Sequence, residues 1–481
     1  MTDPVAAGGP DRAAGRTDSA TVLGRGALYT LATAGPALAA VAVIPVVTRV
    51  LAADQYDLVA VATVVVQVGF ILVALGMGAA ITRQYVLDAA GAPGARGLVL
   101  QAAALATALT LVAASTLGWW APALLGRPAS PALLLAVVAC LGGAWMVVAQ
   151  AYLRGADRAG AFVGLAVTAS LAGPAAGLAG LVLLERTATV YLSGVAAGYV
   201  LAGLAGLVLA LGSGPVRAER AGLRAAMRIG LPTVPHQVSL YVALAGLVVV
   251  ADRLLDQGGR ANVALTIGAG ATVVTAGLNN AWAPLVYRAA PERRGEVLTG
   301  TTRTIATVTA VLAGGVGLLA PWLLRLAAPA SYAPDELVPA VALASAAALP
   351  SVVYLASGHL VFARGRTGAL ALTTPTAVLV GIAVAAWLAP AWGVTAVAVG
   401  YLVTYLGLAV LTTLLQRRVA DHPWWPPFLP VVTLVWLGVT AAGVVLPVDG
   451  AWALARVALA LVLGVGGALA VRRGLRSNPA R

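Results

Sequence analysis

Along this chain, apolar stretches of some 20 residues alternate with short polar connections that hold nearly all of the charge. A helix rising 1.5 Å per residue needs roughly 20 apolar residues to cross about 30 Å of hydrocarbon. Fourteen stretches reach that length: 27–48, 58–81, 98–121, 132–153, 161–184, 189–212, 232–251, 262–286, 303–326, 337–361, 368–388, 393–415, 429–447 and 452–471. Their length predicts helices, because strands of a membrane barrel need only about ten residues of alternating polarity. The last two stretches are short, which leaves a count between twelve and fourteen.

The charged residues give these spans a direction. All 30 basic residues are arginine, and 23 of them fall in alternate connections counted from the N-terminus, against 6 in the remaining connections. Positive charge is retained on the cytoplasmic side of a membrane. The distribution therefore predicts cytoplasmic N- and C-termini in a cell inner (plasma) membrane, and a wrong span count mid-chain would scramble it. Trp119, Trp120, Trp322, Trp387, Trp392 and Trp452 fall at span ends on the arginine-poor side, and Trp424 and Trp425 at an arginine-rich end, as interfacial anchors do.

Composition then removes whole classes of function. With 60% hydrophobic and 10% charged residues and a mean hydropathy of +0.94, the chain is not a soluble domain. The absence of lysine excludes a Walker phosphate loop. Nucleic acid is not an expected partner, since the arginines stand singly between apolar runs rather than in a basic, aromatic-interleaved surface. The single cysteine, Cys140, permits no intrachain disulfide. Most connections are too short for a soluble catalytic domain, no zinc-binding histidine pair or acidic pair of glycosidase type occurs, and neither an enzyme activity nor a cofactor is expected.

Landmarks recur at nearly constant offset. Val47-Thr48-Arg49-Val50-Leu51 is echoed by Ala251-Asp252-Arg253-Leu254-Leu255, Arg158-Ala159-Gly160-Ala161 by Arg366-Thr367-Gly368-Ala369, and Ala121-Pro122 by Ala320-Pro321, about 200 residues apart in each case. Six spans separate the equivalents, so the repeat is parallel, and substrate sites lie between such halves. The expected division is a disordered tail at 1–24, an N-lobe at 25–213, a linker at 214–230, a C-lobe at 231–416, a second linker at 417–428, two further spans in 429–472 and a tail at 473–481.

Several of these residues carry a family likeness. Thr48-Arg49-Val50-Leu51 with Tyr56, the span ending Leu75-Gly76-Met77-Gly78-Ala79-Ala80-Ile81-Thr82-Arg83, and Gly230-Leu231-Pro232, Pro235 and Asp252-Arg253 resemble polysaccharide-biosynthesis (Wzx-like) flippases. Arg154 to Arg158 and Pro284-Leu285-Val286-Tyr287 fit the same pattern, and the likeness covers most of residues 25–415. Asp57 departs from it, standing where the family usually has glycine, a change expected to affect only an outer turn. The family belongs to the multidrug, oligosaccharidyl-lipid and polysaccharide (MOP) exporter superfamily. The resemblance implies an all-α polytopic membrane protein with two six-helix lobes in a V and a cavity lined chiefly by helices 1, 2, 7 and 8. It also implies alternating access that carries an undecaprenyl-pyrophosphate-linked sugar from inner to outer leaflet. Glycosyltransferases or a polymerase of the same pathway are the implied protein partners, beside membrane lipid and the lipid-linked oligosaccharide.

Such transport makes no covalent bond; it needs a hydrated cleft and a cation for the pyrophosphate. Burying an unpaired charge in hydrocarbon costs at least about 2.5–3.5 kcal/mol, so arginines near the lobe boundary face a cleft or snorkel outward. Arg25, Arg49, Arg83, Arg253 and Arg288 are the headgroup candidates, and guanidinium suits phosphate through its paired donors. Arg25 and Arg49 lie about 36 Å apart along a helix, at opposite faces. Gln67, Gln150, His236, Gln237, Asn279 and Asn280 are candidate cavity polar groups, equally suited to bonding neighbouring helices. Pro232 and Pro235 are a hinge or an ordinary helix start. No metal ligand set stands out. A drug or cation antiporter of the same fold is the alternative; it calls for a carboxylate within the spans, and none lies mid-span. The peptidoglycan-precursor (lipid II) flippase, also with fourteen spans, is another.

Overall fold

The computed structural model describes residues 42–86, 90–288, 292, 294–363, 370–420, 424–426 and 428–476. Arg25 and most of the first apolar stretch lie outside them, as do the side chains of Asn280 and Arg288. Among the described residues there is helix and no strand. Helix α1 is the segment 42–50, and α2 (Ala53–Ala74), α3 (Met77–Val86), α4 (Gly91–Ser115) and α5 (Pro131–Gly155) follow. After α6 (Ala159–Leu183) and α7 (Ala188–Leu211) comes a short connecting helix, α8 (Arg220–Gly230). The second half holds α9 (Val234–Leu255), α10 (Gly258–Arg288), α11 (Arg294–Ala327), α12 (Pro334–Phe362), α13 (Leu370–Trp392) and α14 (Val394–Val419). Two more helices, α15 (Leu429–Val445) and α16 (Ala451–Arg476), close the described chain.

Twelve of these helices are long and apolar enough to cross a bilayer, and α15 is a shorter apolar one. The chain is thus a multi-pass membrane protein, each described span falling on an apolar stretch of the sequence. The second stretch differs. Read as one span over 58–81, it starts at Ala53 and breaks after Ala74, where Leu75 (φ 51°) and Gly76 (φ 66°) both take the left-handed conformation before α3 begins. A Cβ on Gly76 would overlap the Gly230 carbonyl, so glycine is required by contact as well as by conformation. Helix α14 continues to Val419, into the segment expected as the second linker.

Small residues set the closest helix pairs, as expected where lipid offers no hydrophobic drive between helices. Gly177 of α6 meets Gly194 of α7 backbone to backbone, and Gly381 of α13 meets Gly400 of α14 in the same way. These are the fifth and sixth spans of each lobe, at the spacing of the repeated sequence landmarks.

Of the three largest clusters of buried apolar residues, one is shared between the lobes and two are not. The large cluster joins Val47, Tyr56 and Leu133 of the first lobe to Leu247, Leu265 and Leu324 of the second. Further along the helices the core divides: Met77, Ile81, Leu98 and Val148 pack within the first lobe, and Trp282, Leu298, Val352 and Leu360 within the second. The lobes are therefore packed together at one end and have separate cores at the other. Helix α2 crosses the boundary to touch α9 and α10, while α15 and α16 lean on α11 outside both lobes.

Candidate functional site

The seam between lobes is sealed at the arginine-poor end by hydrogen bonds in which helix ends meet. Arg127, in the connection before α5, forks onto Asp252 near the end of α9, with Nε to Oδ2 at 2.8 Å and Nη2 to Oδ1 at 2.5 Å. Its Nη2 also lies 3.4 Å from Asp256. The Asp252 side chain is 2% exposed and that of Arg127 26%. These carboxylates raise the Arg127 pKa above its ordinary value, so the guanidinium stays charged.

Asp57 on α2 accepts the Gly259 N–H at 2.5 Å. Gly259 is in the first turn of α10, whose N–H groups have no partner within their own helix, so Asp57 caps a helix of the opposite lobe. The expectation that Asp57 affects only an outer turn is overturned: its carboxylate crosses the seam. Beside it, Asn262 Nδ2 donates to the Tyr56 hydroxyl at 3.1 Å, and Tyr56 packs edge-on against Tyr332. Thr48 donates to the Ala327 carbonyl at 2.8 Å, again from first lobe to second.

Two headgroup candidates belong to this seal. Arg49 donates to the Arg325 carbonyl at 3.1 Å, and Arg253 to the carbonyls of Ala123 and Leu124 at 3.1 and 3.3 Å. Arg260, paired with Glu336 at 2.6 Å, and Arg325, paired with Asp335 at 3.0 Å, neutralise the same end within the second lobe.

At the arginine-rich end a groove of about 430 Å³ opens on the first lobe between α3 and the end of α5. It is lined by Ala79, Thr82, Arg83, Val86 and Arg154. Thr82 is tied back to the Ala151 carbonyl at 3.0 Å, which holds α3 against α5. Of the five arginine candidates, Arg83 is the one this groove contains; Arg154, part of the family likeness but not a headgroup candidate, is its companion and stacks over the Phe162 ring at 5.2 Å. Two guanidiniums beside apolar walls suit a phosphate carried on a lipid.

The polar candidates whose side chains are described do not converge on one cavity. Gln150 is buried and donates to the Phe162 carbonyl at 3.0 Å, joining α5 to α6. His236 Nδ1 pairs with the Thr374 hydroxyl at 2.9 Å, joining α9 to α13 inside the second lobe. Gln237 donates to Thr233 at 2.9 Å. Gln67 is half-buried on α2. Asn279 on α10 has a buried Oδ1 without a partner. Pro232 sits in a 3₁₀ turn, Leu231–Thr233, and Pro235 in the first turn of α9, so the prolines join α8 to α9.

The seal itself escaped sequence reading, although one signal was present. Eight acidic residues fall at the arginine-poor end beside six arginines, a near balance that points to pairing across short connections.

No family model matches the chain, and no curated protein matches it by sequence. Solved structures do match. The lipid II flippase MurJ in an inward closed conformation superposes with a TM-score of 0.65 at 12% identity, covering 93% of this chain and 99% of its own. An inward-facing multidrug resistance MATE family transporter of the MOP superfamily gives 0.63 at 16%, covering 85% and 95%. A MOP superfamily transporter from Pyrococcus furiosus, described as having a binding pocket of reverse polarity that suggests a different function, gives 0.56 at 17%, covering 82% and 95%. The chain has the fold of MOP superfamily transporters.

Proposed function

We propose that this protein is a flippase that carries an anionic, diphosphate-linked lipid sugar across the membrane by alternating access. The observation that carries the reading is the divided core: one apolar cluster spans both lobes at the sealed end, and each lobe keeps its own at the other. That arrangement is one extreme of a rocking cycle, closed where arginines are few. Arg83 and Arg154 face a groove at the arginine-rich end, where a headgroup arriving from the cytoplasmic leaflet is met by two forked donors. The lipid-linked oligosaccharide of polysaccharide biosynthesis is the substrate class that the sequence resemblance favours. Supply by glycosyltransferases at the inner membrane follows from that assignment.

The likeness to a lipid II flippase supports a second reading, a peptidoglycan precursor, since that structure is matched over more of this chain than the drug transporter. Both substrates are polyprenyl diphosphate sugars. A cationic drug fits less well, because the seam carboxylates Asp57 and Asp252 are already engaged by the opposite lobe.

Purified protein in proteoliposomes with fluorescent undecaprenyl-diphosphate sugars tests the reading. Flipping that falls at least about tenfold in an Arg83→Gln, Arg154→Gln double variant is expected, corresponding to about 1.4 kcal/mol of lost headgroup binding. Export of a cationic dye without lipid flipping would overturn the proposal. A disaccharide-pentapeptide headgroup flipped in preference to oligosaccharide would select the second reading.

A further inference from the structure

Helix α8, the link between lobes, carries a charge arrangement that the proposed headgroup groove does not include. Leu223, Ala226 and Met227 on one face pack onto Met77, Ile81 and Leu98 of the first lobe. Arg220, Arg224 and Arg228 lie exposed four residues apart on the other face. At 1.5 Å per residue this is a row of guanidiniums spaced about 6 Å along the helix. Among the described residues none of the three makes a hydrogen bond or ion pair. The neighbouring acid, Glu219, is taken by Arg217 at 2.6 Å. Like charges four apart on a helix repel, so the row is a destabilised arrangement that a line of anions would relieve.

The orientation of the row is fixed. Arg96 on α4, 7% exposed, holds the chain entering α8 through Ser213 Oγ at 3.0 Å, the Ser213 carbonyl at 3.1 Å and the Pro215 carbonyl at 2.8 Å. The Arg217 N–H adds a bond to the Pro93 carbonyl at 2.9 Å. Helix α8 is thus clamped to the first lobe and cannot roll to hide its arginines. It also lies between the ends of two spans, Leu211 and Val234, within a few residues of the bilayer surface. Val216, Ile229 and Leu231, in and next to α8, are exposed as well. Apolar side chains next to a basic row are the signature of a helix at the lipid interface, and each arginine near an anionic leaflet adds to binding.

We infer that the Arg220, Arg224 and Arg228 face of α8 is a binding surface for anionic phospholipid headgroups of the surrounding membrane, docking the inter-lobe link to the leaflet. The inference is independent of the transported substrate. Full-length protein is reconstituted with equal dioleoyl phosphatidylglycerol and dioleoyl phosphatidylcholine, re-extracted and washed, and its retained lipid quantified by mass spectrometry. Wild type should retain phosphatidylglycerol in preference, and R220Q/R224Q/R228Q should lose that preference by at least about threefold. The triple lysine variant should keep it, since charge rather than fork geometry is read. R417Q/R418Q, at the same end of the bundle, should leave it unchanged. Unaltered preference in the triple glutamine variant would overturn the inference. So would an equal loss in R417Q/R418Q, which would reveal bulk charge, or displacement of the lipid by millimolar inorganic phosphate, which would reveal a free-anion site. Should the triple variant not remain monodisperse, R224Q alone decides: unchanged retention there also overturns the inference.

Discussion

Arg127 and Asp252 stand on opposite lobes and meet in a two-pronged ion pair, 2.8 and 2.5 Å long, at the sealed end of the seam. The carboxylate is almost fully buried and the guanidinium partly exposed, so the pair forms only while the lobes are together. Any rocking that opens this end must break it and rehydrate both groups.

Removing Arg127 leaves a buried carboxylate without its main donor, a loss of about 1–3 kcal/mol from the closed arrangement. Arg127→Gln should therefore raise labelling of a cysteine placed at Asn262, which bonds Tyr56 across the seam. Cys140 is buried and should stay silent in the same assay. Labelling unchanged from wild type, or no recovery on exchanging the two residues (R127D/D252R), would count against a latch.

Asp57 caps a helix of the other lobe, so its replacements should rank by capping ability. Asp57→Ala is expected to cost about 1 kcal/mol of closed-state stability, and Asp57→Asn less, because asparagine caps nearly as well. The Asn262 labelling assay reads both; equal effects would show that charge rather than capping matters.

Arg49 and Arg253 donate to backbone carbonyls across the seam. If that is their part in the cycle, lysine should serve in place of either arginine and alanine should loosen the seam by about 1 kcal/mol per site. If instead they receive a diphosphate by paired donation, lysine should fail in a flipping assay as alanine does.

Gly76 and Gly78 lie two residues apart and should respond oppositely. Gly76 has φ 66° and abuts the Gly230 carbonyl, so Gly76→Ala should destabilise by about 1–3 kcal/mol. Gly78 is helical and its added Cβ would lie 3.8 Å from that of Ala151, ordinary contact, so Gly78→Ala should be neutral or gain up to about 1 kcal/mol. Thermal unfolding in detergent separates the two.

Arg456 is fully buried on α16 and meets carbonyls rather than a carboxylate. It donates to Leu446 at 2.5 Å, Gly443 at 3.0 Å and Pro447 at 3.2 Å around the end of α15, and to Leu318 of α11 at 3.3 Å. A cation suits a helix C-terminus, where carbonyls lack partners. Arg456→Met should cost about 1–3 kcal/mol and expose the 446–450 connection to protease while the lobes stay folded.

The helices were legible because a bilayer leaves little choice: a backbone in hydrocarbon must satisfy its own hydrogen bonds, and span length follows from membrane thickness. Thus the stretch 132–153 became Pro131–Gly155 and 393–415 became Val394–Val419. The break at Leu75-Gly76 was hidden inside an apolar run, because hydropathy does not register a left-handed residue. Asp57 read as a local feature since its partner, Gly259, is some 200 residues away. Arg83 stood out in sequence as a headgroup candidate, but Arg154, which lines the same groove, comes from a different helix, and only packing sets them side by side.

The sequence by itself determined that this is a multi-pass helical membrane protein, its charge gathered at one side and its landmarks repeated, because periodic solvation dictates each of these locally. Tertiary structure alone decided which end of the seam is shut, which arginines bond carbonyls and carboxylates there, and which line a groove at the other end. Those outcomes depend on pairings between residues of opposite lobes, and distance along the chain carries no record of them.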